Sequence, residues 1–235
     1  MRLQAESGGM PRRQSVLSGF TAGRGRDREA GNRGDSERSG AGAQFAMIIG
    51  LVSDTHGYFE PKLNGIFAGV DVILHAGDVG ADSVLDELGE IAPVRAVRGN
   101  VDLASSGLPL SLQLTLGGAA IHVLHILPAP QPDLEKWAES APGPRPIPKP
   151  AERLARAFET ATEVVLFGHS HRPCLASMGG ILWINPGSAG RQRFSLPRTC
   201  ALLEVSARNL RARIVPLESA PHLPAPISVH RKRRD

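Results

Sequence analysis

Short apolar runs alternate with helical patterns after the first fifth of the chain. Residues 47–53 and 71–75 are largely apolar runs that predict buried strands, and residues 94–98 predict a third. Between them, residues 60–68 and 83–88 carry apolar positions at helical spacing. This alternation predicts a parallel βαβαβ unit, in which ligand sites lie beyond the carboxyl ends of the strands.

The pattern changes after residue 108. Residues 110–116 alternate apolar and polar side chains, Gly117-Gly118 is a turn signal, and residues 119–125 return as the partner strand. An amphipathic helix is predicted over residues 152–160. Further strands are predicted near residues 163–167, 174–178, 180–184, 199–205 and 209–215. Together these elements predict an α/β fold with two packed mixed β-sheets flanked by helices.

Two segments lack any such pattern. Residues 1–46 are rich in Gly, Arg and Ser and are predicted to be a disordered tail, since they bury too little apolar surface to offset the entropy of ordering. Met47 opens the first strand directly and is therefore a candidate for the true start. Residues 128–150 contain eight prolines and are expected to lack regular structure, apart from a short helical turn around Trp137.

Charge divides the chain into three parts. Residues 1–46 and 220–235 each carry a net charge of +3, and residues 47–219 carry −2, so the overall +4 comes from the ends. The single domain is predicted at 47–219, with residues 216–235 forming a loose tail that is basic from 220 onward. Charge therefore gives no support to nucleic-acid binding by the folded part, although the basic tails are candidate arms for RNA, DNA or an acidic partner.

No sequence feature indicates a membrane or an export route. No apolar run approaches the ~18 residues of a membrane span, and the N-terminus lacks the apolar core of a secretory signal. The expected location is cytoplasmic, with no membrane partner. Cys174 and Cys200 lie in predicted strands without a partner motif, so both are expected to be reduced.

Five short polar motifs lie in order along residues 54–171, nearly all directly after an apolar run. They are Asp54-Thr-His56, Gly77-Asp78, Gly99-Asn100-Val-Asp102, His125 and Gly168-His169-Ser-His171. Carboxylate, imidazole and amide oxygen suit Mn, Fe, Zn, Co or Mg, and the set contains no thiolate. The order predicts a two-metal hydrolase, in which cations ~3.5–4 Å apart polarise a phosphoryl group and a bridging hydroxide attacks phosphorus.

With Asn185-Pro-Gly-Ser188 added, these motifs resemble the calcineurin-like metallophosphoesterase superfamily. Within it, they are similar to the small single-domain phosphodiesterase group that also contains the retromer subunit of this fold. The resemblance runs from Met47 to about residue 215. It implies a four-layer αββα sandwich and two divalent metal ions, Mn²⁺ first, with Fe, Zn, Co, Ni or Mg as alternatives.

The resemblance also implies a ligand set, which would carry out the catalysis. One metal would be held by Asp54, His56, Asp78 and His171. The other would be held by Asp78, Asn100, His125 and His169, with Asp78 bridging the two.

Two positions depart from the family pattern. Val101 stands where a histidine near the leaving group is common, and this favours the phosphodiesterase subgroup. Ile126 stands where glycine usually follows the ligand histidine, so the loop after His125 is expected to take another path. His122 lies three positions earlier on the same strand, faces the opposite side, and is the weaker ligand candidate.

The expected function is therefore hydrolysis of a small phosphoester or nucleotide, most of all a phosphodiester. A phosphomonoesterase is the first alternative, and a non-catalytic protein-interaction scaffold of the same fold is the second. A homodimer is left open, and nothing in the sequence selects the physiological substrate.

Four further polar residues each have two interpretations. His75 is either a packed imidazole or a support for a metal ligand. Asn185 either forms a turn or also shapes the active site. Arg191 and Arg193 either bind phosphate, for which a guanidinium is suited, or lie on a solvated loop.

Overall fold

The computed structural model describes residues 46–128, 149–158, 161–193, 195–220 and 222–231. The first sheet contains β1 (Met47–Val52), β2 (Val72–His75), β3 (Val94–Ala96), β9 (Thr199–Val205), β10 (Asn209–Pro216) and β11 (Ile227–His230). The second contains β4 (Ser111–Leu116), β5 (Ala119–Leu124), β6 (Val164–Leu166), β7 (Cys174–Met178) and β8 (Ile181–Asn185). The helices are α1 (Leu63–Ile66), α2 (Asp82–Gly89) and α3 (Lys149–Arg156), with a 3₁₀ turn at Ala104–Ser106.

Both sheets are mixed, and each contains three neighbouring parallel strands. Strands run in the order β11-β10-β9-β1-β2-β3 in the first sheet and β4-β5-β6-β8-β7 in the second. β1, β2 and β3 are parallel to one another, as are β5, β6 and β8. Their carboxyl ends therefore bring loops from distant parts of the chain to a common edge in each sheet. Among the helices that the structure describes, none is long and apolar enough to cross a membrane.

Side chains that alternate along the strands divide the interior into three apolar layers. Leu51 and Ile184 belong to the cluster between the two sheets. Val52, one position along β1, packs with α1 and α2 on the outer face of the first sheet. Trp183, one position before Ile184, packs with α3 on the outer face of the second. Because strand side chains alternate between faces, each sheet is covered on both sides, and the predicted four-layer fold is confirmed.

Two helices differ from their predicted bounds. α1 covers Leu63–Ile66 instead of 60–68, since a turn around Pro61 precedes it. α3 covers Lys149–Arg156 instead of 152–160, and Pro150 fits its first turn because the missing N–H has no intrahelical partner there. The prediction that residues 128–150 lack regular structure is therefore wrong for residues 149 and 150, which lie in α3. The turn predicted around Trp137 and the tail at 1–45 lie outside the described residues.

The prediction of a loose tail at 216–235 is wrong for β11. Ile227–His230 pairs antiparallel with β10 and extends the first sheet. Directly after it, Arg231 forms a bidentate ion pair with Glu163, with Nε–Oε1 2.8 Å and Nη2–Oε2 3.0 Å. The strand has only two apolar positions, and three prolines precede it in residues 221–226. The sequence pattern therefore does not indicate a strand here, and the strand forms because it pairs with β10.

Candidate metal centre

The residues predicted as ligands follow the carboxyl ends of five strands. Asp54 and His56 follow β1, Asp78 follows β2, and Asn100 follows β3. In the second sheet, His125 follows β5, whereas His169 and His171 follow β6. Since these five strands belong to the parallel parts of the two sheets, the tertiary structure brings all seven side chains to one place.

A first group of donor atoms surrounds Asp54. Its Oδ1 lies 3.2 Å from His171 Nε2, which in turn lies 3.2 Å from His56 Nε2. Asp54 is fully buried, and Oδ1 has no hydrogen-bond partner among the described residues. A buried carboxylate oxygen without a partner is costly. A cation among these three atoms removes that cost.

A second group surrounds Asn100. Its Oδ1 lies 3.0 Å from His125 Nε2 and 2.9 Å from His169 Nδ1. The other ring nitrogen of His125 lies 2.8 Å from the carbonyl oxygen of Ala76, to which it donates. A neutral His125 therefore presents its Nε2 lone pair to Asn100 Oδ1, and two acceptors face each other where a cation fits.

Asp78 lies between the two groups. Its Oδ2 is 3.8 Å from His56 Nε2, and its Oδ1 is 3.3 Å from His125 Nε2. Burial by itself raises the pKa of Asp78, but hydrogen bonds from His125 and the Val101 N–H outweigh it and lower the pKa to about 2. Burial lowers the pKa of His125, yet its hydrogen bond to Asp78 and the nearby carboxylates raise it overall. In the metal-free protein, the hydrogen bond to Asp78 requires a proton on His125 Nε2 in addition to the one that Nδ1 donates to Ala76.

These geometries suit two divalent cations. Asp54, His56 and His171 form one candidate cluster, and Asp54, Asp78 and His125 form another, each with ligand atoms within 4.8 Å of one another. The donors are carboxylate, imidazole and amide oxygen, a set that borderline and hard divalent ions accept. Two observations support this fit. Asp54 Oδ1 is buried without a hydrogen-bond partner among the described residues. His125 Nε2 faces Asn100 Oδ1, so a proton or a cation must lie between these two acceptor atoms.

Residues 47–208 match the calcineurin-like phosphoesterase superfamily domain. This chain belongs to that superfamily. A probable metallophosphoesterase of Methanocaldococcus jannaschii is 32% identical to it over 180 residues, which cover 73% of this chain and 82% of the relative. The predicted membership in this metal-dependent hydrolase family is confirmed.

Solved structures share the superfamily fold. Vps29 of Chaetomium thermophilum superposes with a TM-score of 0.60 at 22% identity, over 80% of this chain and all of Vps29. A structure described as a novel archaeal phosphodiesterase superposes with a TM-score of 0.52 at 20% identity, over 72% of this chain and 99% of that one. At these identities the likeness shows the fold alone.

Backbone strain in this superfamily member is concentrated at the centre. Six described residues other than glycine have positive φ, and five of them belong to the predicted ligand set. These five are Asp54, His56, Asp78, His169 and His171, with φ between 48° and 72°. Left-handed conformations at side-chain-bearing residues are uncommon and persist where the surroundings enforce them. The loops of the centre are thus held in place by many contacts.

Two glycines allow the loops to approach the carboxylates. A Cβ on Gly99 would lie 2.0 Å from Asp78 Oδ1, and one on Gly168 would lie 2.1 Å from Ser53 Oγ and 2.8 Å from Asp54 Oδ2. Neither contact is sterically possible. Glycine at these two positions therefore lets the backbone pass close to the carboxylates of the candidate centre.

His75 supports the centre through hydrogen bonds to two of its loops. It is fully buried, and burial lowers its pKa to about 4, so the ring is neutral. Its Nδ1 accepts from the Gly77 N–H (3.2 Å), which leaves Nε2–H to donate to Thr55 Oγ1 (2.9 Å). Thr55 in turn donates to the carbonyl oxygen of Val79 (3.0 Å). The ring thus joins the loops that carry Asp54 and Asp78.

Asp102 is a supporting residue that the sequence reasoning missed. One carboxylate oxygen accepts from the N–H groups of Val79 (3.1 Å) and Gly99 (2.8 Å), and the other accepts from Gly80 (2.8 Å). It therefore ties the loop after β3 to the loop after β2. Its position two residues after Asn100 was visible in the sequence, but the backbone groups that it binds lie up to 23 residues away.

Asn185 both forms a turn and shapes the centre. Its Oδ1 accepts from the Gly187 N–H, as a turn residue does, at 2.9 Å. Its Nδ2 donates to the carbonyl oxygen of Gly168 (3.0 Å) and to Ser170 Oγ (3.0 Å), inside the loop that carries His169 and His171. The two sequence interpretations of Asn185 therefore both apply.

Two exposed arginines lie on a loop that is tied to the centre. The Gly190 N–H donates to the carbonyl oxygen of Asp54 (3.2 Å), and Arg191 and Arg193 follow directly. The pKa of His56 is lowered, first by burial and next by the positive charge of Arg193. Within the part of the chain that the structure describes, neither arginine forms an ion pair with a carboxylate. Their charge is available to an anion at the centre.

His122 lies outside both donor groups. Its ring packs edge-on against Phe158, with 5.0 Å between ring centroids. This agrees with the sequence interpretation of His122 as the weaker ligand candidate.

Proposed function

We propose that this superfamily member is a binuclear metal-dependent phosphodiesterase. One cation would be held by Asp54, His56, Asp78 and His171, and the other by Asp78, Asn100, His125 and His169. Mn²⁺ is the first cation to test. The observation that carries the proposal is the position of Asp78, whose two carboxylate oxygens face different donor groups.

Two cations held by these residues would supply Lewis-acid chemistry, which polarises a phosphoryl group and lowers the pKa of a bound water. The chain's own residues then have separate tasks. Asp102 and His75 hold the loops that carry Asn100, Asp54 and Asp78. Exposed guanidinium groups attract the anionic ester from solvent, since charge at the mouth of a site raises the local concentration of the opposite charge.

Hydrolysis of diesters is preferred over monoesters for one structural reason. The side chain after Asn100 is Val101, which is 47% exposed and has no group that could donate a proton to a leaving alkoxide. Without such a donor the site suits an ester whose leaving group departs unaided, and at this position the sequence resembles the phosphodiesterase subgroup. The neighbour described as an archaeal phosphodiesterase is in line with this preference.

The decisive experiment compares bis(nitrophenyl) phosphate with nitrophenyl phosphate as substrates of the full chain in Mn²⁺. We expect both to be hydrolysed, the diester with the higher kcat/KM, and Asp78→Asn to reduce both on the order of 10³-fold. Asp86→Asn is the matched control, because Asp86 is an exposed carboxylate on α2. Metal analysis should find two equivalents in the parent and in the control, and fewer in Asp78→Asn.

A scaffold function is the alternative that this experiment separates. Protein purified without chelator that holds no metal, and that remains inactive after addition of Mn²⁺, would refute the catalytic proposal. A folded, metal-loaded parent that hydrolyses only the monoester would refute the diester preference and retain the two-metal centre.

A further inference from the structure

A groove opens beside the metal centre and shares two residues with it. It has a volume of about 700 Å³, within the range of small-molecule sites. Asn100 and His125 line it, and their other contacts belong to the second donor group. A phosphoester bound at the centre therefore has this groove within reach of one of its ester substituents.

The groove is mostly apolar. Leu124 and Phe158 are buried against the core of the second sheet and contribute its floor, whereas Leu110 and Ile126 are 66% and 40% exposed. Polar side chains also line it, among them Arg98, whose planar guanidinium is able to stack on an aromatic ring. Apolar walls with a few polar groups are the usual composition of a ligand site.

Exposed apolar side chains gather on this side of the centre. The described residues include five large hydrophobic side chains with exposure of at least 36%. They are Ile48, Val101, Leu103, Leu110 and Ile126. Two of them line the groove, and two more follow Asn100 within three residues. Single exposed hydrophobic residues need no explanation, but a cluster beside a polar centre marks a binding surface.

We propose that the groove binds the apolar or aromatic substituent of a phosphodiester whose phosphoryl group lies at the metal centre. This inference rests on the proposed function, and it names the substrate class as diesters that carry a planar or apolar group. Burial of that group against Leu110 and Ile126 removes apolar surface from water on both sides. The substituent is bound but does not react, so the groove sets substrate preference.

The test uses two diesters with the same leaving group, nitrophenyl methyl phosphate and nitrophenyl phenyl phosphate. We expect the metal-loaded full chain to prefer the phenyl ester by about tenfold or more in kcat/KM, as an apolar pocket discriminates on this scale. Leu110→Gln should reduce that preference about fivefold with little effect on the methyl ester. Ile126→Thr should act in the same direction.

Ile48→Gln is the matched control, because Ile48 is an exposed aliphatic residue at the start of β1, at the far end from the centre. It should leave the preference unchanged. Equal kcat/KM for the two esters in the parent would overturn the groove inference and leave the phosphodiesterase standing. Equal loss on both esters in Leu110→Gln and Ile126→Thr would also overturn it.

A binding measurement separates failure of the groove from failure of the proposed function. Phenylphosphonate and methylphosphonate are titrated into the metal-loaded protein, with the methyl signals of Leu110 and Ile126 followed by NMR. We expect phenylphosphonate to shift both signals, and methylphosphonate to leave Leu110 unshifted. If neither diester is hydrolysed, the proposed function fails. A phenyl-specific shift would then retain the groove as a binding site, and its absence would overturn it.

Discussion

The metal centre and the core between the sheets differ in backbone strain and in how completely their buried groups are paired. In the core, regular strand pairing connects residues such as Ile49 and Leu203, both fully buried among apolar side chains. At the centre, Asp54 and Asp78 have positive φ, and one buried oxygen of Asp54 has no hydrogen-bond partner among the described residues. The core therefore stabilises the fold, whereas the centre is held in a costly arrangement that a bound cation would relieve.

The largest effect on stability should come from the core. Leu203→Ala in β9 removes a fully buried side chain and should lower the free energy of unfolding by about 2–5 kcal/mol. The folded fraction should still bind its full complement of metal. Urea unfolding in EDTA and metal analysis provide the two measurements. Leu103→Ala, at 73% exposure, is the same substitution at the surface and should change stability by no more than about 0.5 kcal/mol.

Alanine substitutions at Gly80 and Gly69 distinguish the cost of backbone strain from the cost of a steric clash at the centre. Both have positive φ, +81° and +82°, but only a Cβ on Gly80 would contact backbone, at 2.5 Å from Gly57 N and 2.6 Å from His56 C. Gly69→Ala should cost about 1–2 kcal/mol from left-handed strain alone. Gly80→Ala should cost more and weaken metal binding, because His56 must move. Equal losses in thermal unfolding and unchanged metal affinity would contradict this.

The pair of Asp78 and His125 predicts how pH affects the metal-free protein. The lowered pKa of Asp78 gives stability that is present above its unfolded value of ~4 and is lost as pH falls toward about 2. The raised pKa of His125 gives stability that is present below ~6.5 and is lost as pH rises through its folded value. The pair therefore contributes most between about pH 4 and 6.5.

Two neighbouring histidines act in the opposite direction. The pKa values of His56 and His75 are lowered, so each reduces stability as pH falls below ~6.5. The contribution of the pair is therefore measured as the difference between the parent and His125→Gln, in urea unfolding with EDTA from pH 3 to 8. The alkaline decline of this difference should be present in EDTA and absent with saturating metal, which replaces the proton. A difference that is independent of pH would refute the coupling.

The smallest effect should come from the exposed rim of the centre. Arg193→Gln should raise KM for a phosphodiester by about two- to fivefold with kcat nearly unchanged, since an exposed charge contributes about 1 kcal/mol or less. The salt dependence of kcat/KM should weaken at the same time. Arg211→Gln is the matched control, an exposed arginine on β10. A fall in kcat with constant KM would instead assign Arg193 to the reacting atoms.

The strands and the order of the donor residues could be predicted from the sequence, because both are signalled by short local patterns. Asp54, Asp78 and Asn100 each follow an apolar run, and the parallel βαβαβ pattern predicts that such ends share one edge. The superfamily resemblance then divided these residues into two groups. The structure brings them together in two such groups, and the assignment of each group to a metal remains a proposal.

The supporting contacts were not predictable in this way. Asp102 binds backbone N–H groups that lie up to 23 residues away, and Asn185 binds the loop that begins at Gly168. Such hydrogen bonds depend on where separate loops meet. β11 was missed for a related reason, because a four-residue strand gains its order from β10 and from the ion pair of Arg231 with Glu163.

The sequence by itself determined the fold class, the two packed sheets flanked by helices, and which side chains are able to hold metals. Periodicity and residue chemistry are properties of short segments, so they can be read without coordinates. Only the tertiary structure decided the neutral state of His75, the shared position of Asp78 and the groove between Leu110 and Ile126. These features depend on burial and on distances between segments far apart in the chain, which no local pattern encodes.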